Sequence, residues 1–276
     1  MTGKADTPPF APFEWLLALR YLRARRKEGF ISVIAGFSFI GIMLGVATLI
    51  IVMAVMNGFR NQLYEKILGL NGHAVVQPMS GTGPFTNYDD VAKRLAAIDG
   101  VRHAVPLIEG QVMVSSPHHA LGGLVRGMTE EGIRALPLVA NNIVFGSIEG
   151  FDNQRGIAVG NRLAQALGVR LGDFVTLVSP RGASTPFGTA PRTRPYRISA
   201  IFELGMSEYD RAMLCMPLPD AQRYFSKPDR VDVLELVVDD PEAIDQRIVA
   251  MKAAIDAPLH YASWRDRNET FFTVLE

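Results

Sequence analysis

The 276-residue sequence carries 28 basic and 28 acidic side chains, a formal net charge of zero, so no global field favours nucleic acid or an anionic partner. Hydrophobic residues make up 48% of it and Cys215 is its one cysteine, which excludes a mainly disordered chain and an intrachain disulfide framework. The stretch beyond residue 60 is long enough for one large or two small domains with real cores.

Residues 1–12 are polar and proline-rich and predict a disordered leader. Phe13, Leu16, Leu17, Leu19 and Leu22 then predict a short helix lying along a membrane surface, with Arg20, Arg23, Arg25, Arg26 and Lys27 facing lipid headgroups. Gly29–Phe59 follows, 31 consecutive residues without Asp, Glu, Lys, Arg or His, and predicts a transmembrane helix. The basic flank places the N-terminal side in the cytoplasm and the rest outside. Two competing readings are a signal peptide and a buried core helix. The first has an apolar region of only about 7–15 residues, and the second is not apolar on every face beside a one-sided basic flank. Gly41 and Gly45 form a small-xxx-small pair that permits close helix approach. Phe59, Leu63, Ile67 and Leu70 recur at helical spacing against Arg60, Gln62, Glu65 and Lys66, so the helix is expected to continue as an amphipathic stalk.

Beyond the Asn71-Gly72 turn, strands are expected at 73–78, 101–108, 111–115 and 121–127, with a helix over 89–99 that carries Val91, Leu95 and Ile98 on one face. A late strand at 231–238 leads to a helix capped by Asp239 and Asp240, with Pro241 in its first turn and Ile244, Ile248, Met251 and Ile255 on one face. An early β-α-β-β set and a late β-α set suggest one split α+β domain with another inserted. The insert holds strands at 156–159, 174–178, 196–202 and 212–217 and a helix at 161–167 ended by Gly168, predicting a small barrel or sandwich. Within it, Ser179–Pro195 carries four prolines and three arginines and predicts a projecting loop or long hairpin. Ser263 with Asp266 predicts a helix cap, and Trp264, Phe271 and Leu275 a second stalk leading back into a membrane.

No P-loop, Rossmann glycine pattern, HExxH or CxxC is present. Asp89-Asp90 and Asp239-Asp240 read as helix-start acids rather than catalytic pairs, and His118-His119 as a poor metal site. His73, His103 and His260 read as surface or interface histidines, and Cys215 as a small buried hydrophobe. No catalytic residue, metal site or cofactor is predicted, although a membrane-anchored periplasmic enzyme stays as a rival class.

The block ALRYLRARRKEGFISVIAGFSFIGIMLGVATLIIVMAVMNGFRNQLYEKILGLNGH, Ala18–His73, resembles the start of the LolC/LolE family, membrane subunits of the lipoprotein-releasing ABC transporter of Gram-negative bacteria. GIAVGNRLAQALGVRLGDFVTLVSP, Gly156–Pro180, and FELGMSEYDRAMLCMPLPDAQ, Phe202–Gln222, are similar to its periplasmic region. The resemblance implies an α+β membrane protein of the MacB/FtsX-like permease superfamily. Its expected parts are a cytoplasmic tail and elbow (1–28), a transmembrane helix (29–59) and a stalk (60–72). A split Porter-like α+β domain (73–128 and 228–262) then carries a mostly-β Sabre-like insert (129–227), before a second stalk (263–276) that leads to further membrane helices.

The resemblance also implies function: a permease subunit that extracts lipoproteins from the inner membrane and hands them to the periplasmic carrier LolA. Its expected partners are a LolD-like cytoplasmic ATPase, an identical or paralogous second permease subunit, the lipoprotein and membrane lipid. In the family a hairpin called the Hook engages the carrier. TPFGTAP, Thr185–Pro191, is similar to its Thr-Pro-Xaa-Gly turn, so Pro186 carries over as the contact proline, with Phe187, Gly188 and Pro191 around it in the segment 179–195. Arg181, Arg192 and Arg194 are placed to pair with carboxylates or carbonyls of a carrier. The resemblance further implies a lipid-entry cavity along the first membrane helix, where Val46, Ile50, Met53 and Asn57 share one face. GMSEYD, Gly205–Asp210, looks closer to a mixed subunit type than to LolC. The alternative function is a MacB-type efflux or FtsX-like mechanotransmission permease.

Overall fold

The computed structural model describes residues 12–22, 29–185 and 188–267. The leader expected at the N-terminus, the basic cluster after Leu22, Pro186, Phe187 and the chain after Arg267 lie outside the described residues. The chain divides into two compact units, residues 1–63 and 64–276.

The first unit is helical. α1 spans Pro12–Leu22 and α2 spans Gly29–Leu70, 42 residues without a break. At about 1.5 Å per residue α2 reaches roughly 63 Å, about twice a hydrocarbon core. Phe30–Phe59 is long and apolar enough to cross a membrane, and none of its most apolar window is buried within the chain. A core helix would be covered, whereas the apolar surface of this one is exposed among the described residues. Thr48 returns its hydroxyl to the Leu44 carbonyl at 2.8 Å, which satisfies the donor inside the helix, as lipid would require. At Gly41 and Gly45 an added Cβ would meet nothing within 4 Å among the described residues.

The second unit begins in the last turns of α2 and continues through β1 (Ala74–Pro78), α3 (Tyr88–Ala96), β2 (Val101–Ser115), β3 (Ala120–Met128), α4 (Glu130–Arg134), α5 (Pro137–Ala140) and β4 (Ile143–Gly146). It goes on with β5 (Gly156–Gly160), α6 (Asn161–Leu167), β6 (Phe174–Thr185), β7 (Gly188–Phe202), α7 (Ser207–Ala212) and β8 (Met213–Pro217). α8 (Leu218–Tyr224), β9 (Val233–Val238), α9 (Ile244–Ala254), β10 (Leu259–Ser263) and α10 (Trp264–Arg267) complete it.

Two sheets share one strand. The first half of β2 joins an antiparallel sheet in the order β10-β1-β9-β2. α3 and α9 bury Val91, Leu95, Ile244, Ile248 and Met251 in a core that includes Val76, Leu234 and Leu236. The second half of β2 pairs with β3 from Ile108↔Gly127 to Ser115↔Ala120. From there a ring runs β2-β3-β8-β5-β7-β6 and closes where β6 pairs back onto β2 at Met113↔Val178. The barrel expectation is thus met with a different membership, since β2 and β3, which sequence alone grouped with the split part, complete the ring. β2 runs through Glu109-Gly110, where a break was expected, because Gly110 leaves room for the Phe225 ring: an added Cβ would sit 2.3 Å from it.

Several local expectations agree with the backbone. α6 ends at Gly168 in the left-handed region, φ 68°, which glycine adopts at low cost. Asp240 accepts from the Glu242 N–H at 3.0 Å and caps the turn before α9. Asp89 and Asp90 sit in the first turn of α3 instead of at its cap, where the helix dipole still favours them. Ser263 and Asp266 exchange side-chain and backbone bonds at 2.8 and 3.2 Å, a capping box at the start of α10.

Candidate functional site

Two parts of the second unit are built unlike the rest. The first is the hairpin of β6 and β7. Its ladder continues past the barrel from Ser179↔Arg192, after an irregularity, to Thr185↔Gly188, so the expected projecting hairpin is a paired ribbon. Gly188 begins β7 and Arg181 lies in β6. Pro191 and Arg194 are exposed, whereas Arg192 is half-buried and donates to the Tyr224 carbonyl. Arg192 is therefore engaged at the base of the hairpin, and Arg194 is displayed to solvent.

That base rests on an aromatic stack. Tyr196 meets Tyr224 edge-on with ring centroids 6.1 Å apart, and Tyr224 meets Phe225 at 5.0 Å. Burial pushes the Tyr224 phenol up to about 12, so it stays a neutral donor, 3.5 Å from the Arg192 carbonyl. Beside the base lies an open groove of about 630 Å³ lined by Val112, Met113, Gly122, Leu124, Val178 and Pro191. Its volume is in the range of small-ligand sites. Met113 is 45% exposed and the space at Gly122 is open, so the groove offers an apolar surface continuous with the hairpin.

The second part is where α2 ends. Lys66 donates to the Gly205 carbonyl at 3.2 Å, and an added Cβ at Gly69 would be 3.2 Å from Leu138. The Leu70 carbonyl accepts from Arg126 Nη1 at 2.9 Å. Arg126, 2% exposed on β3, holds Glu235 Oε2 of β9 at 2.5 Å through Nη2 and lies 3.2 Å from Glu109 Oε1 through Nε. Burial alone would weaken its hold on the proton, but the Glu235 and Glu109 carboxylates outweigh it and its pKa is raised. Glu235, 1% exposed, also faces Arg267 of α10 at 3.9 Å.

His73 is buried here rather than at the surface. Its Nδ1 accepts from the Val238 N–H at 3.0 Å, and burial lowers its pKa. The Trp264 N–H donates to the His73 carbonyl at 2.9 Å. Sequence reasoning missed this cluster, although Arg126 in the strand ALGGLVRGM and Glu235 in VLELVV are lone charges within apolar strands.

The remaining candidates lie apart. Val46, Ile50, Met53 and Asn57 are exposed along one face of α2. Asp210 of GMSEYD is buried and accepts from the Leu204 N–H at 2.6 Å, which makes it a turn-closing residue. Burial pushes the Cys215 thiol up to about 11, so it stays protonated. Among the described residues, no three His, Cys, Asp or Glu side chains are grouped to hold a metal.

The sequence profile described as MacB-like periplasmic core domain matches residues 35–254. The chain belongs to that family. The resemblance to LolC and LolE also holds along the chain. The lipoprotein-releasing system transmembrane protein LolC of Xylella fastidiosa is 29% identical over 268 residues, covering 97% of this chain and 64% of that protein. LolE of Haemophilus influenzae is 28% identical over 255 residues, covering 91% of this chain and 61% of that protein. The chain thus spans somewhat less than two thirds of these relatives. Among solved structures, the periplasmic region of MacB from Actinobacillus actinomycetemcomitans aligns with a TM-score of 0.49 and 12% identity, over 76% of this chain and 98% of that one.

Proposed function

We propose that this chain belongs to a permease subunit of a lipoprotein-releasing ABC transporter in the cell inner membrane. In this reading α2 crosses the membrane as the first of several spans, and the MacB-like domain stands in the periplasm. A LolD-like ATPase drives it from the cytoplasm, and a second permease subunit completes the pair. The observation that carries the reading is the hairpin at 179–195: a paired ribbon beyond the barrel, with Pro191 and Arg194 exposed and an apolar groove at its base. Such an element suits docking of a soluble carrier of the LolA type, because a strand-paired, proline-bearing ribbon loses little conformational freedom on binding.

The apolar face with Val46, Ile50, Met53 and Asn57 supports a role in meeting the acyl chains of the lipoprotein. Each CH₂ carried into water costs about 0.8 kcal/mol, so direct transfer to a carrier is favoured over release. The Porter-like and Sabre-like division is read here as the four-stranded sheet and the barrel, with β2 in both.

The test is release of a triacylated lipoprotein from proteoliposomes holding the permease with its ATPase. Release that requires both ATP and carrier supports the reading. ATP hydrolysis with no release, and capture of an outer-membrane channel instead of the carrier, would favour the efflux alternative that the MacB-like domain also allows.

A further inference from the structure

We propose that Arg126 and Glu235 form a mechanical coupler, joining the last turn of α2 to the sheet and, through Arg267, to the end of α10. This rests on the transport reading above and names the residues through which work delivered along α2 enters the domain.

Burying a charge pair takes two ions out of water, and replacing such a pair with apolar residues of similar size is often neutral or stabilising. A pair 2% and 1% exposed is therefore weakly explained by stability. Its connections explain it better. The last carbonyls of a helix lack partners within the helix and carry partial negative charge, and the guanidinium meets one of them at Leu70. The same planar fork reaches Glu235 on β9, and Glu235 faces Arg267 on α10. β1 and β10 pair at Ala74↔Ser263, so the segments entering and leaving the sheet are neighbours at this point.

Geometry adds stiffness. Apolar surfaces slide over one another, whereas a forked guanidinium fixes direction as well as distance. Lys66 on Gly205 and Gly69 against Leu138 hold the same turns of α2 on the barrel side. At Gly72 an added Cβ would lie 2.9 Å from the Glu235 Cβ, which leaves this segment no slack. Arg126 is thus a positioning residue: it is buried, and it meets the Leu70 carbonyl, Glu235 and Glu109.

The experiment compares the wild-type permease complex with Arg126→Met/Glu235→Leu and with Arg126→Lys in proteoliposomes. It reads lipoprotein released per ATP hydrolysed, with basal ATP hydrolysis, carrier binding and amide exchange of the domain as controls. The double variant is expected to keep the three controls and lose release per ATP at least tenfold, and Arg126→Lys to fall between. Release per ATP equal to wild type in a folded double variant overturns the coupler and leaves the transport reading standing. If the double variant does not fold, Arg126→Lys decides by the same ratio, wild-type coupling again overturning the proposal. Absence of release from the wild type overturns the transport reading, and the coupler with it.

Discussion

The hairpin and the α2 joint belong to one unit of the chain and are built on opposite principles. The joint uses a buried guanidinium, two carboxylates, a buried histidine and a helix-end carbonyl, each with partners inside the protein. The hairpin is paired along its backbone, and Pro191, Thr193, Arg194 and Pro195 are exposed. Side chains whose partners are all internal are expected to govern stability and rigidity. Exposed side chains held on a rigid ribbon are free to meet a second molecule.

The largest expected effect tests the joint side of that contrast. Glu235→Ala leaves Arg126 buried with its main partner gone, and destabilisation of about 3–5 kcal/mol is expected, measured by denaturant unfolding of the detergent-solubilised protein. A loss below about 1 kcal/mol would mean that water reaches the guanidinium and that the joint is soft. Overpacking β3 next to Arg126 comes second. Gly127 lies so close to α8 that an added Cβ would be 2.2 Å from the Ala221 Cβ, so Gly127→Val is expected to cost about 1–3 kcal/mol by the same assay.

His73 makes the joint sensitive to pH. Burial lowers its pKa in the folded chain, while the unfolded chain takes up a proton near the ordinary value of about 6.5. The unfolded state then binds more protons below that value, so the stability contributed by neutral His73 is complete above it and is lost as pH falls. The pH slope of unfolding between neutrality and acid should flatten in His73→Gln. An unchanged slope would place the titration elsewhere.

The smallest stability effect is expected at the hairpin. Arg194→Glu and Pro191→Ala should stay within about 0.5 kcal/mol of wild type, as exposed substitutions usually do. A larger loss from either would show that the ribbon is structural.

Much of this architecture is legible in the sequence because it is local. The uncharged run that becomes α2, the αL glycine after α6 and the Asp240 cap each depend on residues a few positions apart. The hairpin was legible from proline and arginine content, which leaves no core-forming pattern. What sequence conceals is long-range pairing. Closure of the barrel by Met113↔Val178 joins strands 65 positions apart, and no periodicity records it. Arg126 and Glu235 are 109 positions apart, and each alone reads only as an odd charge in a strand. Arg192 shows the same limit: it reads like its neighbour Arg194, but a carbonyl at Tyr224 takes it.

The hairpin is the proposed docking element for the carrier. The most direct measurement is the affinity of a LolA-type carrier for the detergent-solubilised permease, comparing wild type with Pro186→Ala and Arg194→Glu. Binding by the wild type is expected, with binding at least tenfold weaker, about 1.4 kcal/mol, for each variant and unfolding midpoints unchanged. Equal affinity in all three would contradict it and move the docking surface away from the hairpin.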